Sequence, residues 1–409
     1  MNIWYFSAHD QPKGKSSRIY DYSLQLIELG HSVTIFTNSY CHWSHKEVTP
    51  IQGPYKIEYI DGIRVVWLKT FHYKGNGVKR GLNMIDNMRR AFQTSRAVGD
   101  RPDVIIGPSV PIGTGWAALK IARNFKCSFV YEVRDVWPIA LVDDGGLKKT
   151  SLTYLVFRYM EKVLYRKSDK ISTAIPFIHD HVRRSGANAN KIEWMPNGII
   201  TSKFSSYNNY DGGEPNKIHV MYIGGFAQSH DVISIVRSAK ILQDCDDDRF
   251  KFTIIGDGPK KPECVNFSKI NSLNNIEFRS PISKSDIPKV QQDADIFVST
   301  SVHSKRLEFG LNANKIYDYF ASARPVIFAG MGSNNIVDLS GSGYTTPPHN
   351  PEKLVEALRQ YVGLPPKDRV KMGRLGYKYV SDNFEMSLLG KKMELLLFRA
   401  IDSYRENSG

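Results

Sequence analysis

Residues Gly310-Leu-Asn-Ala-Asn-Lys-Ile-Tyr-Asp-Tyr-Phe-Ala-Ser-Ala-Arg-Pro-Val-Ile-Phe-Ala-Gly330 decide the fold of this chain. A polar loop of small residues runs into a helix that carries Asp318 and ends near Arg324-Pro325. A short buried strand, Val326 to Ala329, follows. A loop that feeds a helix N-terminus presents unpaired backbone N–H groups and the positive end of the helix dipole, an arrangement suited to phosphate. Asn312 and Asn314 lie in that loop and at the helix start, and Lys315 adds a cation in the first turn. Asp318, one turn on, is placed to accept hydrogen bonds from ribose hydroxyls. The stretch reads as a grip for a nucleoside diphosphate.

Outward from it, the second half alternates buried strands with helices after a polar linker, Thr201 to Asn216. Strands are expected at His219–Ile223, Lys251–Ile255, Ile276–Phe278 and Ile296–Ser299. The first two run into Gly224-Gly225 and Gly256-Asp-Gly258, and Arg279 follows the third. The first half has the same rhythm. It predicts strands at Ile3–Phe6, Val33–Thr37, Ile63–Leu68, Asp103–Ile106 and Phe129–Glu132, and helices at Arg18–Leu29, Val78–Arg96, Gly115–Asn124 and Ser151–Lys167. Strands apolar on both faces and separated by helices imply parallel, doubly wound sheets. Two such units are expected: residues 1–200, and residues 201–385. The last helix, about Met386 to Tyr404, is expected to return to the first unit.

Composition narrows the class. At 409 residues the chain is too long for one compact core. A hydrophobic content of 41% and a charged content of 23% are ordinary for a globular protein. No run approaches the roughly 20 apolar residues of a membrane span, and no basic leader precedes the first strand, so a cytoplasmic protein is expected. Cys41, Cys127, Cys245 and Cys264 lack metal-ligand or disulfide spacing. The net charge of +14 is concentrated early: residues 1–200 hold 28 Lys and Arg against 17 Asp and Glu. That skew implies an anionic partner. No nucleic-acid-binding signature accompanies it, so phosphates or a membrane surface are preferred to nucleic acid.

Two further segments end at the ligand-binding edge of a parallel sheet. In His9-Asp-Gln-Pro-Lys-Gly-Lys-Ser-Ser-Arg18, Gly14 permits close approach of the backbone to an anion, and Lys13, Lys15 and Arg18 bring charge. It is not a full G-x-G-x-x-G, which argues against a nicotinamide cofactor. Glu132-Val-Arg134-Asp135 also leaves a strand end, before Trp137-Pro138. Neighbours such as Arg134 and Asp135 commonly form a structural ion pair. The alternative is a catalytic cluster, with Asp135 as the group that orients or deprotonates an acceptor hydroxyl.

Four motifs in order resemble retaining glycosyltransferase family 4. The segment Asn312–Tyr319 resembles its Ser-Pro-Asn-Lys-Leu-x-Asp-Tyr pattern, and Glu132–Pro138 its Glu-x-Arg-Asp-Leu-Trp-Pro box. Tyr222-Ile-Gly-Gly-Phe-Ala-Gln228 and Met195-Pro-Asn-Gly198 complete the set. The closest likeness is to the bacterial O-antigen and capsule branch, with its L-fucosamine-type transferases. The resemblance implies an α/β GT-B fold, two Rossmann-like domains facing a central cleft, with the acceptor bound by the first domain and the nucleotide sugar by the second. It implies a metal-independent, retaining hexosyl- or N-acetylhexosaminyl-transferase without a cofactor. The co-substrate would be a nucleotide-diphosphate sugar, expected to be UDP-linked. It also implies a polyprenyl-diphosphate-linked or oligosaccharide acceptor of a growing surface glycan. By the same likeness Glu132, Arg134 and Asp135 are catalytic, and Gly14, Lys15 and Arg18 face the diphosphate and acceptor. Gly224, Gly225, Gly256, Gly258, Arg279, Asn312, Asn314, Lys315 and Asp318 hold the donor nucleotide.

Two departures qualify it. The family's acidic pair is spaced E-x7-E, yet eight positions before Asp318 stands Gly310; Glu308 is the nearest substitute and a candidate sugar contact. The Arg and Lys that follow the first loop of the second domain in many members are replaced by Phe226-Ala-Gln-Ser-His-Asp231, which throws more weight on Lys315, with Lys305 or Arg306. The rivals are a nucleotide-sugar 2-epimerase of the same fold and a catalytically degenerate scaffold subunit. Finally, Val78–Arg101 and Leu147–Lys170 interleave apolar and basic residues. Such stripes usually pack on their own sheet; here they are also read as docking the first domain on the anionic inner face of the plasma membrane.

Overall fold

The computed structural model describes every residue except 13–16, 43, 76, 144–145, 205–208, 215, 303–307, 312–313, 333 and 409. The chain divides into two compact units, Met1–Asn197 with Met386–Gly409, and Gly198–Glu385.

The first unit is an eight-stranded sheet. Its strands are β1 (Asn2–Phe6), β2 (Ser32–Asn38), β3 (Tyr55–Ile60), β4 (Ile63–Leu68), β5 (Val104–Pro108), β6 (Ser128–Val133), β7 (Lys170–Thr173) and β8 (Ile192–Trp194). The order is β3-β4-β2-β1-β5-β6-β7-β8, parallel apart from the β3–β4 hairpin. The central strands β5 and β6 are buried along their whole length, as a sheet covered on both faces requires. Helices Val78–Ala97, Ile112–Phe125 and Leu152–Lys167 form a contiguous layer, the middle one touching both others. Helix Arg18–Glu28 packs against the final helix, Met386–Ser408. Those two come close at Gly390, where a β-carbon would lie 2.5 Å from Cβ of Gln25.

The second unit is a six-stranded, wholly parallel sheet of β9 (Ile218–Ile223), β10 (Phe250–Ile255), β11 (Ile276–Arg279), β12 (Ile296–Thr300), β13 (Val326–Ala329) and β14 (Gly343–Thr346). Its order is β11-β10-β9-β12-β13-β14. β9, β10, β12 and β13 put Val220, Tyr222, Phe252, Ile254, Ile296, Val298 and Ile327 into one core with helices Val232–Asp244 and Pro351–Gly363. Switch points of such sheets, where neighbouring strands send their loops apart, are where ligands bind. Here that point lies between β9 and β12.

Three strands of the first unit and one of the second lie outside the sequence reading. β3 joins β4 through Asp61-Gly62, both at positive φ (50° and 81°), a two-residue hairpin turn. β7, β8 and β14 are three or four residues long and extend the sheets at their edges. The helix through Asp318 is also shorter than expected, ending at Ala321.

Candidate functional site

Strands β9 and β10 end side by side, and their loops are held together by backbone hydrogen bonds: Gly224 N–H to the Ile255 carbonyl (2.9 Å) and Phe226 N–H to that of Asp257 (2.9 Å). Gly256 makes the approach possible. Its φ is +146°, and a β-carbon there would sit 1.8 Å from the Gly224 carbonyl oxygen. Helix Asn314–Ala321 faces these loops. It forms because Ile316, Tyr317, Tyr319 and Phe320 make one apolar face, and it is anchored to β9 by the Tyr319 hydroxyl. That hydroxyl accepts from the Ile223 N–H and donates to the Ile223 carbonyl, both at 3.0 Å.

These elements surround a cavity of about 380 Å³. It is lined by Ile223, Gly224 and Gly225; Ile255, Gly256 and Asp257; Pro281, Ile282, Ile287 and Gln291; and Lys315, Asp318 and Tyr319. The Lys315 ammonium donates to the Tyr222 hydroxyl (3.0 Å) and lies 4.8 Å from that ring's centre. Burial lowers its pKa from 10.5 to about 8. The cause is desolvation alone: no described carboxylate offsets the charge. The Tyr222 hydroxyl in turn donates to the Gly225 carbonyl (2.7 Å), which also meets Nδ1 of His230 (2.8 Å). His230 is held below its ordinary pKa by burial and then by Lys315. A half-buried cation with no counter-charge among the described residues, beside glycine loops open enough for backbone contact, suits an anionic ligand.

Of the residues expected at the nucleotide, the structure brings Gly224, Gly225, Gly256, Lys315 and Asp318 together in this cavity. Asn314 begins the helix and is exposed; Asn312, Lys305 and Arg306 lie outside the described residues. Three others are not among the residues that line it. Gly258 packs behind the lining, a β-carbon there meeting the Phe226 backbone at 2.8 Å. The Arg279 guanidinium pairs with Glu277 (2.8 Å), and the Arg279 carbonyl accepts from Nζ of Lys261 (2.9 Å). Glu308 is exposed and absent from the lining. Gly310 has φ +97°, so an acidic side chain in the family's usual place would be strained on this backbone. Tyr222, Gln291 and Ile287 were missed. Tyr222 and Ile287 could have been found from their places beside Gly224 and Pro288.

The first unit gathers charge at the ends of β1, β5 and β6, but not as expected. Glu132 is wholly buried in β6. Its Oε1 accepts from Nε of Arg18 (2.8 Å) and from the Tyr5 hydroxyl. Arg18 also donates to the Pro196 carbonyl (2.8 Å). These two expected site residues form a buried ion pair that ties helix Arg18–Glu28 to β6 and to the Pro196-Asn197 segment. Arg134 pairs with Asp10 across the sheet edge rather than with Asp135. Burial pushes Asp10 up, but Arg134 and the Ser7 hydroxyl outweigh it and hold the carboxyl below its ordinary range. Asp135 is half-buried. It caps its own turn by accepting from the Val136 N–H (2.9 Å), while its carbonyl accepts from the Ser109 hydroxyl (2.9 Å). Beside them, His9 and His42 lie with ring centres 5.0 Å apart, and burial lowers their pKa values to about 3 and about 4. Gly14 and Lys15 lie outside the described residues. Among the described residues, no three His, Cys, Asp or Glu side chains converge on a common point that could hold a metal.

Residues 14–198 match the model for a glycosyl transferase 4-like domain, and residues 217–363 that for glycosyl transferases group 1. Three solved structures share the whole architecture at low identity. The sucrose-phosphate synthase of Thermosynechococcus elongatus superposes with a TM-score of 0.71 at 15% identity, over 97% of this chain and 98% of that one. Anabaena HepE in complex with UDP and glucose gives 0.66 at 12%, over 97% and 99%. WaaG, a glycosyltransferase involved in lipopolysaccharide biosynthesis, gives 0.66 at 12%, over 96% and 99%. No curated protein matches the chain by sequence. The two domain matches, in this order on a GT-B fold, place the chain among the GT4-type glycosyltransferases.

Proposed function

We propose that this protein transfers a sugar, with retention of anomeric configuration, from a UDP-sugar to a lipid-linked or growing surface glycan, without a metal. The observation that carries the reading is Lys315: a half-buried ammonium, with no described counter-charge, in a cavity walled by the Gly224 and Gly256 loops. A diphosphate would supply the missing charge, and Asp318 in the same cavity would take the ribose. Preorganised charge of this kind, aimed at a leaving group, is usually the largest catalytic contribution. An N-acetylated hexosamine is among the sugars such a donor would carry. The UDP held by HepE and the lipopolysaccharide role of WaaG agree with this choice of donor and product. Arg134 and Asp135, at the end of β6, are proposed to orient the acceptor.

Docking on an anionic bilayer belongs to the same reading. Leu152, Leu155, Val156 and Tyr159 on one helix, and Leu82 and Ile85 on another of the same layer, are exposed rather than packed on the sheet. Lys148, Lys149, Lys162 and Arg89 accompany them. No helix among the described residues is long and apolar enough to cross a membrane.

One observation favours a second reading, a scaffold subunit: Gly310 in place of an acid, with Glu308 exposed. A donor screen separates the two. Purified protein is heated with UDP-, GDP- and dTDP-sugars, and stabilisation of about 2.7 kcal/mol is expected from a true donor at 100 times its dissociation constant. A response to a UDP-sugar together with slow donor hydrolysis, both lost in a folded Asp318→Ala variant, supports the transferase. Binding without turnover under any acceptor would leave the scaffold reading standing.

A further inference from the structure

Helix Met386–Ser408 buries one side in the first unit and leaves the other open. On the open side Leu388, Leu395 and Phe398 are each nearly half exposed, at 45–48%. With Lys391 and Asp402 they follow one another at alternating steps of three and four residues, which puts all five on one stripe. That spacing is the seam of a helix that pairs with another helix. The flanks of the stripe are already used within the chain. Lys392 donates to the Trp194 carbonyl (2.7 Å), Arg399 pairs with Glu193 (2.9 Å), and Glu394 meets His31 (2.8 Å). The charges on the stripe itself are not held in this way. Among the described residues Lys391 has no partner, and Asp402 is met only by Arg405, at 3.8 Å.

Sign and order decide what covers such a face. An anionic bilayer calls for cations along its whole length, whereas this stripe is basic toward one end and acidic toward the other. A second copy of the same stripe, turned end for end about an axis between Leu396 and Leu397, brings Leu395 to the partner's Phe398 and Lys391 to the partner's Asp402. Both contacts then occur twice. A parallel pair would instead set Lys391 on the partner's Lys391 and Asp402 on the partner's Asp402, two repulsions in place of two attractions.

We propose that the open face of helix Met386–Ser408 docks a second copy of this chain, the two helices antiparallel, with Leu395 against the partner's Phe398 and Lys391 against the partner's Asp402. A two-fold contact of this kind closes on itself, so it gives dimers and no longer assemblies. The apolar contact is small, so the dimer is weak, and the two charge pairs fix its direction and register. The inference is independent of the donor and of the reaction.

The test is analytical ultracentrifugation of the full chain over a rising concentration series, beside melting curves. Wild type should pass from monomer to dimer and go no further. The double variant Leu395→Ser, Phe398→Ser should melt within a few degrees of wild type and stay monomeric. Lys391→Glu and Asp402→Lys each turn two attractions into two repulsions, and each should weaken the dimer by about tenfold. An equimolar mixture of these two single variants restores both pairs across the axis, so it should dimerise nearly as well as wild type. Residues 391 and 402 lie eleven positions apart on one helix, about 16 Å, so no contact within a chain can produce that rescue. A wild type that stays monomeric at the highest concentration, or a mixture no better than its components, would overturn the proposal. Flotation of wild type with phosphatidylglycerol vesicles that the Leu395→Ser, Phe398→Ser variant loses would overturn it too, and assign the stripe to a bilayer.

Discussion

Lys315 makes the clearest demand at the scale of a single residue. Its pKa of about 8 in the folded protein, against 10.5 for a free lysine, makes it charged below pH 8 and largely neutral above. A diphosphate needs the charged form, so UDP affinity should be full below pH 8 and fall as the pH rises through that value. Above pH 8, binding should take up a proton. Stability runs the other way: the unfolded chain binds more protons between about pH 8 and 10.5, so this group's contribution rises with pH across that window. Charge-assisted hydrogen bonds are each worth about 1.5–3 kcal/mol. Lys315→Ala should therefore weaken UDP by about 10- to 100-fold at pH 7 and abolish the pH dependence. Lys315→Arg should retain binding above pH 9. Affinity measured against pH decides it: parallel profiles for wild type and Lys315→Ala would show that the ammonium does not meet the ligand. At this scale the sequence revealed chemistry better than placement. Lys315 and Asp318 are one turn apart on one helix, and local spacing was enough to put them in one cavity. Arg18 and Glu132 are 114 positions apart; each looked like a site residue because it stood beside one. Only the structure shows that the two are a buried pair joining the first helix to β6.

At the scale of elements, periodicity found the long helices and the fully buried strands, since both carry enough apolar residues to give a period. It failed on β7, β8 and β14, where three or four residues hold no period. It also passed over β3, although Asp61-Gly62 between two β-rich runs is a strong hairpin signal. The helix Leu152–Lys167 shows a subtler limit. Its amphipathic pattern could equally have served the sheet; instead Leu164 and Tyr165 are buried while Leu152 is 77% and Tyr159 64% exposed. The outward stripe costs apolar hydration and contributes nothing to the described core. If its partner is an anionic bilayer, the triple variant Leu152→Ser, Leu155→Ser, Tyr159→Ser should melt within a few degrees of wild type yet lose most of its binding to phosphatidylglycerol vesicles in a flotation assay. Raising the salt concentration should weaken wild-type binding as well, since the neighbouring lysines are screened. Equal flotation of the variant and wild type would remove this helix from the membrane surface.

At the scale of the whole molecule, the last helix is what makes the chain order differ from the unit order. Met386–Ser408 belongs to the first unit, although nearly two hundred residues of the second unit precede it. Leu389, Met393, Leu396 and Leu397 are at most 3% exposed. Its polar ties also reach into the first unit: His31 to Glu394 at 2.8 Å, and Lys392 to the Trp194 carbonyl at 2.7 Å. Burying a Leu or Met side chain is worth about 1.5–3 kcal/mol, so these four alone contribute about 6–12 kcal/mol. That is as large as the net stability of a typical domain, about 5–15 kcal/mol. A chain ending at Glu385 should therefore lose the first unit's cooperative unfolding and expose helix Arg18–Glu28 and the sheet behind it. The second unit, whose buried cluster between Ile218 and Val362 needs nothing beyond Glu385, should keep its fold and its UDP affinity. Circular dichroism melts and limited proteolysis of the truncated and full chains would separate these outcomes, with UDP titration as the check on the second unit. A truncated chain with an intact first unit would mean that the helix only covers a sheet that is already stable. Loss of UDP binding along with the first unit would mean that the second unit does not stand alone, and that the glycine loops and Lys315 need the whole chain to hold their places.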